Sequence, residues 1–146
     1  MNNNYCGCKN ENECNSCIKN ILEVICMIQE NACPGCGSID SCDRPTLGIG
    51  PSCLNCNTRP ICLYSCCSNG TAWSMPTSRE ETSTTTSTVF RVEKINGCCC
   101  TFRVLAPNPD TTSPYPYVTT DSVFTIDINC ISAVRCLNDT YVEGAC

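Results

Sequence analysis

Histidine is missing from all 146 residues. With it go Ser-His-Asp and Cys-His catalysis, histidine-containing zinc sites and imidazole-based pH sensing. No other acid/base constellation takes its place, so the chain is not expected to be an enzyme. Basic residues are also scarce. Nine Lys and Arg against fourteen Asp and Glu leave a net charge of −5, which argues against nucleic-acid or anionic-membrane partners, because both need a basic surface. Aromatic residues are sparse. No apolar run reaches the roughly 18 residues that would suggest a membrane span. The start, MNNNYCGCKNENEC, lacks the charged-then-apolar pattern of a secretory signal, so synthesis and retention in the cytosol are expected.

Cysteine is the opposite case. Nineteen of 146 residues are cysteine, well above the roughly 8–10% that marks disulfide scaffolds. Such scaffolds normally belong to oxidising compartments, because the cytosol keeps thiols reduced. The cysteines therefore either bind metal or oxidise after the protein leaves a reducing compartment by a route other than export. Their number is odd, so at least one must be free, metal-bound or joined to another molecule.

The chain has a one-domain length, and its composition changes along it. Residues 1–14 are Asn-rich, carry Cys6, Cys8 and Cys14, and read as a flexible arm able to reach roughly 45 Å when extended. Residues 15–56 read as a helix followed by a turn-rich cysteine segment. Ile18, Ile21, Leu22, Ile25 and Ile28 have helical spacing, which predicts a helix over 16–31 that Pro34-Gly35 stops. From 57 to 146 the period changes to two. Strands are expected at 59–66, 89–95, 98–105, 123–128 and 130–137, six or more in all, with an exposed polar loop or edge strand at 77–88 and a Pro- and Thr-rich loop at 106–121. Asn69-Gly70 and Asn96-Gly97 both read as turns, the second as the two central residues of a type I′ hairpin. The expected fold is mainly β: an antiparallel β-sandwich or related sheet, with one N-terminal amphipathic helix and the cysteine-rich arm.

Three chemistries compete for the cysteines. Cys14, Cys17, Cys33 and Cys36 have zinc-site spacing, but the intervening helix would hold Cys17 and Cys33 roughly 24 Å apart. The set Cys33, Cys36, Cys53 and Cys56 has a loop spacer and survives as the alternative, a zinc-binding interaction module. The CPGC of residues 33–36 follows a helix, whereas a redox C-x-x-C works at a helix N-terminus. Cross-linking is the third chemistry, and the run Cys98-Cys99-Cys100 supports it. Neighbours in a strand face opposite ways, and Cys98 and Cys100 would sit roughly 6.7 Å apart on one face. A disulfide needs Cβ atoms about 3.8 Å apart. Each of the three should find its partner elsewhere, and at least one such bond should leave the subunit. No cofactor is expected.

Three stretches, NTRPICLY (57–64), FRVEKINGCCCTFRVLAP (90–107) and FTIDINCISAVRCLND (124–139), resemble the signature blocks of the spore coat protein Y/Z family. They occur in family order. Ser132 stands where the family typically has a third cysteine in the last block, and the arm carries more cysteines than the family style suggests. The resemblance implies a structural protein of the outer spore coat or exosporium that self-assembles into a disulfide-hardened layer, as a hexagonal sheet or a filament. It also implies synthesis in the mother-cell cytosol without a signal, and oxidation after that cell lyses. Expected partners are copies of itself and other coat or exosporium proteins. On this reading Cys6, Cys8, Cys14 and Cys146, then Cys98 and Cys100, are the candidates for links between molecules. Cys99, Cys130 and Cys136 are the candidates for bonds within the domain, the last two carried over from the family blocks.

Overall fold

The structure, a computed structural model, describes residues 14, 17–32, 56–66 and 68–145. The expectations for Cys6, Cys8, Cys33, Cys36, Cys53 and Cys146 lie outside the described residues.

Helix α1 (Cys17–Ala32) forms close to where the apolar spacing puts it. Alone, a helix of this length is marginal in water, so one face must pack. The buried side chains are Ile18, Leu22, Ile25 and Gln29. Burying Leu22 and Ile25 contributes about 1.5–3 kcal/mol each. Two members of the expected stripe are not buried: Ile21 is exposed and Ile28 is half-buried. Gln29 takes the inward position because its amide is fully used. Its Nε2 donates to the Val92 carbonyl at 2.8 Å, and its Oε1 accepts from the Arg59 N–H at 3.1 Å.

The fold is mainly β and antiparallel, as expected. Among the described residues it is built on one five-stranded sheet and not on two packed sheets. Its strands are β1 (Ile61–Ser65), β4 (Val89–Asn96), β5 (Cys99–Pro107), β6 (Tyr117–Asp127) and β7 (Ile131–Cys136), in spatial order β6-β5-β4-β1-β7. The pair β2 (Met75–Pro76) and β3 (Thr86–Ser87) forms a separate two-stranded ribbon. Strands β4, β5 and β6 make a meander, and β7 returns to the far side of β1. A short 3-10 turn, Ile128–Cys130, links β6 to β7. The Asp127 side chain caps it by accepting from the Asn129 N–H at 2.9 Å. Strand β6 starts well before the expected residue 123, because Tyr117, Val118 and Thr119 pair with Pro107, Ala106 and Leu105. Val118 and Thr119 are β-branched and suit a ladder better than the loop that the neighbouring prolines suggest.

Helix α1 covers one face of the sheet. Ile18, Leu22 and Ile25 join Ile61, Leu63, Phe90, Val92, Cys100, Phe102, Val104, Ile128 and Ile131 in one core. Phe124 packs edge-on against Phe90 at 4.8 Å and stacked against Phe102 at 5.5 Å between ring centroids. A second buried group is polar. The Arg91 guanidinium donates to Thr58 Oγ1 at 3.0 Å and to the Asn57 carbonyl at 3.2 Å, and it pairs with Glu93 at 3.6 Å. Asn57 exchanges two hydrogen bonds with the Val142 backbone, both at 2.9 Å. This knot ties the C-terminal segment to the residues that lead into β1.

The β4–β5 hairpin differs from expectation by one residue. Asn96 pairs with Cys99, so the central turn residues are Gly97 and Cys98. Gly97 has φ +60°, whereas Cys98 does not have positive φ. Positive φ at the first central position alone is the type II′ pattern. The reason lies in the strands. A turn centred on Asn96-Gly97 would set Phe90 opposite Arg103 and Val92 opposite Thr101. The observed register sets Phe90 opposite Val104 and Val92 opposite Phe102, with all four side chains in the core. An irregularity between Val92 and Lys94 reconciles the turn with that register. Core alignment prevails over the local turn preference. Asn69-Gly70, with no such ladder across it, has both residues at positive φ, 51° and 82°.

Candidate functional site: the cysteine framework

The shifted turn decides where the three adjacent cysteines lie. Cys98 sits in the turn, half-buried against the core, and its carbonyl accepts from the Ile128 N–H at 2.8 Å. Cys99 begins β5 opposite Asp127 on the neighbouring strand, and its side chain is exposed. Cys100 is fully buried, paired with Ile95 on one side and Ile126 on the other. The strand alternation expected for Cys99 and Cys100 is therefore present. It directs Cys100 into the core and Cys99 to solvent.

The other described thiols fall into the same two classes. Cys14 and Cys62 are buried and Cys26 is half-buried, while Cys17, Cys66 and Cys136 are exposed. Cys14 donates to Asn129 Oδ1 at 3.7 Å, and Cys26 to Glu30 Oε1 at 3.8 Å. Burial pushes the Cys100 thiol up to about 12, with a smaller contribution from Cys26. Burial also pushes Cys14 up to about 11, helped by contact with Cys98. Cys26 is raised by burial and by the nearby Glu30 carboxylate. Because the thiolate is the nucleophile, these sulfurs react slowly near neutral pH.

Cys56 and Cys130 are disulfide-bonded. This bears on the zinc alternative, because a sulfur in a disulfide is not a thiolate ligand. Among the described residues, no three of Cys, Asp and Glu are grouped so as to hold a metal ion. Between α1 and β4 lies an open groove of about 300 Å³ lined by Lys19, Glu23, Cys26, Glu30, Glu93 and Lys94. Its charged groups are of both signs. Among the described residues, no helix is long and apolar enough to cross a membrane.

Sequence reasoning did not single out Cys17 or Cys66 as candidates; it assigned Cys100 to links between molecules, and Cys99 and Cys136 to bonds within the domain. The structure buries Cys100 and exposes Cys99 and Cys136. The signal was available in part, because Cys100, Phe102 and Val104 alternate on the apolar side of their strand.

A family profile described as Spore coat protein Z matches residues 6–116. The chain belongs to this family. The match takes in α1 and the strands from β1 through β5, including all three adjacent cysteines. The third signature block, at 124–139, lies beyond it. No curated protein and no solved structure matches the chain. Membership gives this spore coat family protein a structural role at the spore surface.

Proposed function

We propose that this chain is a building block of the outer coat or exosporium, which assembles with copies of itself and with other coat proteins into a layer that disulfides then lock. One observation supports this reading above the others. Among the described thiols, Cys17, Cys99 and Cys136 are exposed and stand apart from the buried set within the domain. These exposed sulfurs contribute nothing to the core and lie where a neighbouring molecule can reach them. Cys17 starts the helix, Cys99 opens β5 and Cys136 ends β7. Links from such separate points reach neighbours in several directions, as a layer requires. Cys6, Cys8 and Cys146 are further candidates on the sequence alone. Strands β6 and β7 each have a single neighbour among the described strands, which leaves two sheet edges as non-covalent contact surfaces.

The test is assembly of the reduced, purified chain followed by oxidation, read by electron microscopy and by gels with and without reductant. Ordered assemblies that reductant-free denaturing gels show as covalent multimers are expected. With Cys17, Cys99 and Cys136 all changed to Ser, multimers on the gel should fall severalfold while the assemblies still form. A wild-type chain that remains monomeric through oxidation refutes the reading.

A further inference from the structure

Cys14 and Cys98 are 84 positions apart in the chain and meet at the tip of the β4–β5 hairpin. The two-residue stretch Ile128-Asn129 touches both. The Ile128 N–H donates to the Cys98 carbonyl at 2.8 Å, and the Cys14 thiol donates to Asn129 Oδ1 at 3.7 Å. Cys14 belongs to the core cluster and Cys98 packs against that cluster. Cys98 is near enough to help raise the Cys14 thiol. A disulfide needs Cβ atoms within roughly 4.5 Å, the separation to which oxidation must bring this pair. From the sequence, both residues were candidates for links between molecules. The fold places them side by side within one.

We propose that Cys14 and Cys98 form an intramolecular disulfide when the chain is oxidised, locking the segment before α1 onto the hairpin turn. The oxidant class is a low-molecular-weight disulfide such as glutathione disulfide, RSSR. Cys98, the less buried of the two, reacts first. Its thiolate attacks one sulfur of RSSR, the S–S bond breaks, and RS⁻ leaves and takes up a proton as RSH. Cys14 then loses its proton and attacks the Cys98 sulfur of the mixed disulfide, and the second RS⁻ leaves as RSH. Two electrons pass from the two thiols to RSSR, one S–S bond replaces another, and the two thiol protons end on the two RSH molecules. The buried, protonated state of Cys14 makes the second step slow at neutral pH and faster as pH rises. The bond closes a long loop, so it constrains the unfolded chain strongly. It also removes Cys98 from the sulfurs open to neighbours and leaves Cys99 as the outward member of the run.

The experiment uses the full reduced chain as an equal mixture of unlabelled and ¹⁵N-labelled protein, oxidised with glutathione disulfide and mapped as peptides without reductant. The expected result is a peptide pair joining Cys14 to Cys98, found as all-light and all-heavy species only. Cys98→Ser should leave Cys14 open to alkylation after denaturation, whereas Cys99→Ser should keep the link. Mixed light–heavy pairs, Cys14 bonded to another cysteine, or Cys14 still alkylatable after full oxidation would each overturn the proposal. Layer formation is scored separately by microscopy, so failure of this bond and failure of assembly are distinct results.

Discussion

On its inward face β5 presents Cys100, Phe102 and Val104, all fully buried, while on the outward face it presents exposed Cys99 and half-buried Thr101. Two cysteines adjacent in the chain therefore have opposite roles. Cys100 behaves as a small apolar residue whose thiol is kept protonated. Cys99 contributes little to the fold and is available to react. Residue type does not separate exposed from core cysteines in this strand; strand parity and register do.

Mutations can break this contrast. The largest expected effect is on the inward face. Phe102→Ala should cost about 3–5 kcal/mol, because Phe102 is fully buried and packs beside both Phe90 and Phe124. Thr101→Ala, one position away, removes only the 2.9 Å hydroxyl contact with Thr125 and should cost about 1 kcal/mol or less. Denaturant unfolding of the reduced chain measures both.

Between the two cysteines the difference is smaller but of the same sign. Cys100→Ser buries a hydroxyl in an apolar site and should cost about 1–3 kcal/mol. Cys99→Ser should stay within about 0.5 kcal/mol. Alkylation of the native reduced chain should modify Cys99 at least tenfold faster than Cys100, and equal rates would show that the burial difference does not hold in solution.

Alkaline pH sharpens the same comparison. In the unfolded chain the Cys100 thiol loses its proton near its ordinary value of 9.0, and in the folded chain only near about 12. The folded state holds the proton more tightly, so stability is fully present below pH 9 and falls as pH rises from about 9 toward 12. Cys14, raised to about 11, contributes to the same fall, so Cys100→Ala should flatten it in part in reduced protein, and Cys99→Ala should not. A pH profile unchanged by Cys100→Ala would show that Cys100 is not the group responsible.

The turn shows the smallest effect. Gly97 has φ +60° with open space where a Cβ would go, so Gly97→Ala meets backbone strain and no steric clash. A loss of about 1 kcal/mol is expected. Asn96 lies in the strand, so Asn96→Thr should cost less than that, whereas a turn centred on Asn96 would reverse the order.

Much of this was legible in advance. The helix and most strands follow from the spacing of apolar residues, and the hairpin from the Asn-Gly pair between two strand-like runs. The turn position was not, because the strength of Asn-Gly as a local signal conceals the core pairing of Phe90, Val92, Phe102 and Val104. Gln29 was missed as a buried residue for a related reason. An amide reads as polar until Val92 and Arg59 are known to satisfy it. The candidate site was legible as a set of residue types and much less as an arrangement. That Cys14 would lie beside Cys98 depends on residues 128–129, more than a hundred positions from Cys14.

The sequence by itself determined the chemistry open to this protein. Without histidine, with little basic charge and with nineteen cysteines, it pointed to sulfur cross-linking in a structural role, and three blocks pointed to the family. Which sulfurs face the core, the solvent or each other was decided only by the tertiary structure. The physical reason is that a one-residue change of register exchanges the two faces of a strand, and core packing across four strands sets that register.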